Sequence, residues 1–469
     1  MAEPLASEKP ASSPNPRRWK ILGFVGVAQL MLILDVTVVA IALPSIGADL
    51  GQGRETLTWV VSGYTLAFGG LLLLGGRAVD LFGARRLILA GLVLFAAASL
   101  VAGLATSGTV LLSARVAQGL AAAILSPAAL SLVVTLFEGE ERNKALGIWS
   151  SLGGSGAALG VLLGGLLTAG AGWPWVFFIN VPVGIVLLIA LALQLPKPVP
   201  AATRGKLDVL GAALVTGATG TLTFALVRAG DKGWFTWITA GLVAAAAVLY
   251  ALFVWRQRVA TSPLMDIRLL TLRPVATGTL LILVATALMI MVFFLGTFYL
   301  QNARGYGALT TGLLFLPVAF ATMIGANAGG RIIGRSGPRV LGSSGLLLAA
   351  VGMAAPALWE GTAAMVIGVG LAAAGTGVVF VVASATALGQ VEPQDAGLAS
   401  GIVSTFHEFG ASLGAAVVSS MAAAGIAGTD PSSFSRGFAT GAIVAVAGAV
   451  LALLFIPKPR AASVVEAAA

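Results

Sequence analysis

Fourteen predominantly apolar stretches follow one another along the chain. Their limits are about 19–43, 57–76, 87–105, 109–134, 144–170, 173–195, 207–228, 236–255, 275–300, 308–330, 338–358, 361–389, 396–426 and 434–456. The runs are continuous rather than alternating with period two, so an outer-membrane barrel is excluded. About 20 apolar residues are enough for a helix to cross a bilayer. Backbone groups in lipid must be satisfied within the segment, so each run predicts a helix. The expected fold is an all-α polytopic membrane protein with fourteen transmembrane helices. Residues 1–18 are polar and carry Pro4, Pro10, Pro14 and Pro16, as a disordered cytoplasmic tail would. No small-residue cleavage site follows the first run, so it reads as a span and not a signal peptide. Residues 457–469 form a second expected tail.

Composition agrees with the pattern. Hydrophobic residues make up 58% of 469 and charged residues only 10%, against about 45–50% and 25% in soluble domains. There is no cysteine and one histidine, which excludes disulfides, thiolate metal sites and a cysteine nucleophile. No metal site is expected. The net charge of +9 is best read loop by loop. With the N-terminus inside, 21 of the 27 basic residues fall on inner segments, among them Arg77, Arg85, Arg86, Arg331 and Arg339. Five fall on outer loops: Arg54, Arg228, Lys232, Arg304 and Arg436. Arg115 lies within segment 4. The positive-inside rule therefore puts both termini in the cytoplasm. The charge becomes a property of the inner face, attracted to anionic lipid, with no nucleic-acid partner implied.

The chain also repeats itself. GGRAVDLFGARRL starts at Gly75 and GGRIIGRSGPRVL at Gly329, an offset of 254 that pairs Arg77 with Arg331, Gly83 with Gly337 and Arg85 with Arg339. The same offset pairs Gly147 with Gly401, Gly156 with Gly410 and Gly160 with Gly414. This predicts two six-helix halves, 19–195 and 275–456, joined by a linker, 196–274, that holds two extra helices. A transporter repeated in this way places its substrate between the halves near mid-membrane and rocks one half on the other. The extra pair, outside the repeat, is expected at the periphery.

Six motifs in order carry a resemblance: LDVTVVAIALP from Leu34, GRAVDLFGARR from Gly76, RVAQGLAAA from Arg115, GAALGVLLGG from Gly156, WPWVFFINVPVG from Trp173 and SPLMDIRLL from Ser262. Over essentially its whole length the chain resembles the fourteen-helix drug:proton antiporters of the major facilitator superfamily, the multidrug and antibiotic efflux transporters. The resemblance implies the major facilitator fold and efflux of amphipathic drugs or antibiotics across the inner membrane. It implies alternating access driven by a proton gradient, with no cofactor, in a monomer whose partners are a small amphipathic substrate, protons and lipid. Two positions depart from the family pattern. Leu81 stands where a basic residue usually follows the Asp, and Val161 follows Gly160 where Pro would kink the helix. A dedicated exporter of one metabolite and an ion-coupled importer remain open on the same scaffold. A membrane enzyme would need a polar cluster at one interface, and one His with no Cys argues against it.

Deep within the spans only Asp35, Arg115, His407 and Glu408 can ionise. A charge at mid-bilayer costs about 2.5–3.5 kcal/mol even on a lenient scale, so such residues are functional candidates by default. Asp35 lies about 12 Å from the outer end of segment 1, and Arg115 about 9 Å from the outer start of segment 4, by the helical rise. The matched depths allow an interaction, either as a proton-coupling pair or as a permanent structural one. Glu408, about 18 Å into segment 13, is a second coupling acid or an interhelical hydrogen-bonding group. His407 beside it should point about 100° away and is read as structural. Gly76, Asp80, Gly83, Arg85 and Arg86 form a candidate inner gate, in which Asp80 is the residue the repeat lacks, since Gly334 replaces it. Gly156, Gly160, Gly164 and Gly165 predict close helix packing in the antiporter motif. Met289, Met291, Phe293, Phe294 and Phe298 are either a pliable cavity wall or a lipid-facing or helix-packing surface. The exposed outer acids, including Asp49 and Asp231, carry no expected role.

Overall fold

A computed structural model describes residues 17–195, 206–389, 391, 396–428 and 430–456. Most of the first tail (1–16), the start of the linker (196–205) and the last tail (457–469) lie outside the described residues. So do the basic residues Lys9, Lys197, Arg204, Lys458 and Arg460, which the charge pattern assigns to inner segments.

The N-terminal helices are α1 (Arg18–Leu50), α2 (Arg54–Phe82), α3 (Ala84–Gly103), α4 (Gly108–Leu136), α5 (Gly139–Gly170) and α6 (Trp175–Gln194). The inserted pair is α7 (Val209–Lys232) and α8 (Trp237–Val259). Then follow α9 (Arg273–Phe298), a π-helical turn Tyr299–Ala303, and a helical run Ala308–Leu358. The 51-residue run is broken at Gly337, where φ is 74° and ψ 155°, and so divides into α10 (308–336) and α11 (338–358). The chain ends in α12 (Thr362–Leu388), α13 (Ala396–Met421) and α14 (Ser433–Phe455). Among the described residues, 12 helical runs are long and apolar enough to cross a membrane. The 32-residue α5 adds a further long helix, apolar over Leu159–Gly170. The fourteen-segment pattern is compatible with this set.

Gly337 has a counterpart. At Gly83, 254 residues earlier, φ is 84° and ψ 143°, and the two glycines end α2 and α10 in the same way. A side chain would strain this region of φ/ψ space, which glycine enters freely. Gly51 (φ 61°) and Gly305 (φ 70°) form a second pair at the same offset, ahead of α2 and α10. The repeat is therefore written in the backbone as well as in the sequence.

The two halves pack alike. In the first, α5 lies on α1, and α4 on α2 and α3. In the second, α13 lies on α9, and α12 on α10 and α11, with Gly325 against Ala374 and Gly352 against Ala372. The halves meet along two repeat-related seams, α2 with α13 and α5 with α10. At the second seam the backbones nearly touch. A methyl group at Gly165 would lie 2.8 Å from the Ala308 carbonyl oxygen, and one at Gly312 would lie 2.5 Å from that of Val161. Helix α5 runs through Val161 without a break.

Helix α7 does not sit apart from this frame. It packs on α2 and α13 at once, and α8 covers it from outside. Its start is fixed by Asp208, which caps it through the Gly211 amide at 3.1 Å and binds Arg256 and Gln257, each at 2.9 Å. Gln257 Oε1 in turn accepts the amides of Leu264 (2.7 Å) and Met265 (3.2 Å). The Ser262–Leu270 motif thus has a physical task, the docking of the inserted pair onto the start of the second half.

Candidate functional site

A fully buried charged network is built on α1, α4 and α6. Asp35 of α1 and Arg115 of α4 form a salt bridge with side chains 0% and 1% exposed. Gln118 Nε2 and Asn180 Nδ2 donate to the other carboxylate oxygen at 3.1 and 3.2 Å. Arg115 also donates to the Val60 carbonyl and to Gln118 Oε1, each at 2.9 Å. Gln118 reaches Ser99 Oγ at 2.8 Å. The Arg115 guanidinium lies 4.3 Å above the Tyr64 ring, a cation–π contact that adds attraction where water is absent. A narrow crevice of about 130 Å³, walled by apolar residues of α1, α5 and α6, reaches Asp35 and Asn180.

The pairing expected from matched depths is therefore formed, inside a larger network. Gln118, Asn180, Ser99 and Tyr64 carry no part in the sequence reading. Two of them lie in its motifs. Gln118 is three residues after Arg115 and so shares its helix face. Asn180 is the one amide in the apolar WPWVFFINVPVG stretch.

Glu408 sits elsewhere, on the α2–α13 seam. Its Cβ lies against Gly69, where an added methyl group would come within 2.5 Å of it. His407, expected to point away from Glu408, does not. Its Nδ1 lies 3.2 Å from Glu408 Oε1, with His407 39% and Glu408 12% exposed. The His407 ring is 5.8 Å from that of Phe380. Adjacent side chains diverge at Cβ, but both are long enough to bend together again.

At the basic-rich end, Asp80 is 57% exposed and pairs at 3.3 Å with Arg77, one turn away on the same helix. Arg85 donates to the Ala192 carbonyl of α6 at 2.9 Å. Gly76 and Gly83 lie at the same end of α2, and Arg86 opens α3. The glycines of α5 do what their spacing predicts. Gly156 meets Leu30 and Ile33, Gly160 meets Thr37, and Gly164 meets Val38 and Ile41. Gly410 and Gly414 of α13 repeat the arrangement on Leu283 and Ala287 of α9.

One alternative is selected and two expectations change. Met291, Phe293, Phe294 and Phe298 are buried in the core of the second half, with Phe293 5.2 Å from Phe315, and only Met289 is half-buried. The stripe is packing surface. Asp49 accepts a 2.7 Å hydrogen bond from the Trp173 indole. Arg54, counted as a loop cation, is buried at the head of α2 and paired with Asp231.

The model of the Major Facilitator Superfamily matches residues 25–415. The chain belongs to the major facilitator superfamily. It is 37% identical over 461 residues to puromycin resistance protein pur8 of Streptomyces alboniger, covering 94% of this chain and 90% of that one. It is 36% identical to the cephamycin export protein CmcT of Amycolatopsis lactamdurans, covering 86% and 84%. A solved bacterial homologue of the human lysosomal transporter Spinster, inward-facing and occupied, shares the fold at a TM-score of 0.66 and 16% identity, over 94% of this chain and 97% of that one. This member of the superfamily is thus a multi-pass membrane transporter rather than an enzyme.

Proposed function

We propose that the protein exports amphipathic organic compounds, drugs or antibiotics among them, in exchange for protons. The observation that carries this reading is the Asp35–Arg115 pair, sealed at mid-bundle with two amide donors on the same carboxylate. A purely structural ion pair is a weak source of stability, because the desolvation of both charges offsets their attraction. A carboxylate in that position has its use in changing state.

In the sealed form the ionised carboxylate is neutralised by Arg115. When the halves part toward an acidic exterior and water reaches the network, a proton adds to Asp35 and its bond to Arg115 loosens. The carboxylate charge that attracts Arg115, or a cationic substrate, is then lost, and substrate leaves. Facing the less acidic interior, Asp35 gives the proton up and regains its charge. Each charge carried across 100 mV contributes about 2.3 kcal/mol, enough to bias such a cycle. Glu408, on the seam that moves, is the second acid in this scheme. Asp80 and the Arg85–Arg86 pair act at the inner gate, closing when the outer side opens.

The same reading places the basic-rich end in the cytoplasm and the protein in the inner membrane, as a monomer with both termini inside. It takes energy from the proton gradient and uses no cofactor. Relatives named for puromycin resistance and cephamycin export support export of antibiotic-like compounds.

The test is transport by the purified protein in proteoliposomes under an imposed pH gradient. The panel comprises puromycin, a cephamycin, lincomycin and a neutral hydrophobic dye. Accumulation of one or more compounds that collapses with a protonophore is expected. Accumulation that follows a sodium gradient instead would overturn the proton reading.

A further inference from the structure

Arg54 opens α2 at the basic-poor end, yet its side chain is only 5% exposed. Its guanidinium lies 2.5 Å from Asp231 and 3.2 Å from the Val227 carbonyl, both on α7, and 2.7 Å from Ser419 Oγ on α13. Ser419 also bonds Thr58 of α2 at 2.6 Å. Further along the seam, Ser412 of α13 accepts from Ser62 of α2 through its carbonyl at 3.3 Å and bonds Thr223 of α7 through its hydroxyl at 3.1 Å. Three helices are thus tied by a polar ladder at one end of the moving seam.

Helix α7 also touches the first half, with Thr216 against Gly70 of α2, but two observations tie both of its ends to the second. Its first turn is tied through Asp208 and Gln257 to Leu264 and Met265, which lead directly into α9. At its other end, a methyl group at Gly230 would lie 2.7 Å from Ser420 Cα of α13, so the two backbones are in close contact. Arg54, carried by α2, is thus held by groups of α7 and α13, two helices tied to each other and to the start of α9.

We propose that Arg54 and Asp231 form the extracellular latch of the transporter, and that the inserted helix α7 is a gate element travelling with the C-terminal half. The proposal rests on the reading above of alternating access, with the basic-poor end outside. Opening that end must pull the guanidinium out of the Asp231–Val227–Ser419 cradle. Asp231 is 46% exposed, so water can take over both charges as they part, which makes the latch reversible. This assigns the extra pair a part that a peripheral position alone would not give it.

The chain has no native cysteine, so Thr58→Cys reports directly on the latch. Labelling of this reporter from outside by a membrane-impermeant maleimide is compared in the parent and in Asp231→Asn. Loss of one charge-assisted contact should raise the labelling rate by about ten-fold. The charge-conserving Asp231→Glu should stay near the parental rate and shows that a change at this position leaves the bundle folded. An unchanged rate in Asp231→Asn overturns the latch. A second pair of variants tests the allegiance of α7. An oxidised Thr223→Cys/Ser412→Cys bridge, α7 to α13, should leave the labelling rate of the Thr58→Cys reporter in Asp231→Asn high. A bridge that suppresses it shows that α7 does not travel with α13. Labelling needs no substrate or proton gradient, so failure of proton-driven export would show separately in the transport assay and leave this result standing.

Discussion

Removal of Arg115 tests the mid-bundle network most severely. In Arg115→Met, Asp35 keeps only the amide donors of Gln118 and Asn180. The Val60 carbonyl and Gln118 Oε1 lose a donor at the same time. Taking one partner from a buried ion pair leaves an uncompensated charge and costs about 3–5 kcal/mol. The loss of the stack on Tyr64 adds about 0.5–2 kcal/mol where the ring is desolvated. The double variant Asp35→Asn/Arg115→Met removes both charges, and the new amide can still bond Gln118 and Asn180. It should therefore recover more than half of the loss, a positive coupling in a double-mutant cycle. The assay is unfolding by denaturing detergent in mixed micelles, followed by tryptophan fluorescence, on the parent, both single variants and the double. Proton-driven transport should stay absent in the double even where stability returns. A single variant within about 1 kcal/mol of the parent would refute the reasoning, since surface pairs behave that way. So would a double variant whose loss equals the sum of the singles.

Other consequences follow from the seam and the gates. Glu408→Gln should reduce uptake of cationic substrates while neutral ones persist, as measured compound by compound in proteoliposomes, and equal transport of both classes would make Glu408 structural. Asp80→Asn should slow turnover without loss of membrane insertion and should raise maleimide labelling of single cysteines at the inner end of α2; identical labelling in mutant and parent argues against an inner gate. Gly337→Ala forces a side chain into a region, φ 74° and ψ 155°, that is open essentially to glycine alone, and should destabilise the α10–α11 junction by about 1–3 kcal/mol, read in the same unfolding assay. Ala at Gly334, a helical glycine with open space beside its Cβ position, should instead be neutral or slightly stabilising.

The sequence made some of this legible for definite physical reasons. Long apolar runs fix the helices because lipid leaves the backbone no other solution. The 254-residue register defines the two halves, and it reappears in the shared backbone geometry of Gly83 and Gly337. Asp35 and Arg115 stand out because charges within spans are rare, and the helical rise supplies their depths. Helix ends are less legible. Segment 1 reads to residue 43, whereas α1 continues through Pro44 to Leu50, since polar residues near an interface no longer oppose a helix. Gln118 and Asn180 give no signal of their own, because a neutral amide in an apolar run acquires meaning only from its neighbours across helices. Arg54 is hidden by the opposite effect. A cation beside a loop resembles a solvated one until the fold shows α7 and α13 closing over it. No repeat counterpart exists for α7, so the register says nothing about where it docks.

The most direct measurement is transport by Asp35→Asn in proteoliposomes energised only by a pH gradient, with the protein quantified in the membrane. Asn keeps the shape of the side chain and its amide contacts but cannot carry a proton through the cycle. The account requires that pH-driven accumulation of substrate be lost while insertion and expression remain at parental levels. Accumulation against the concentration gradient by Asp35→Asn, under that pH gradient alone, would contradict it.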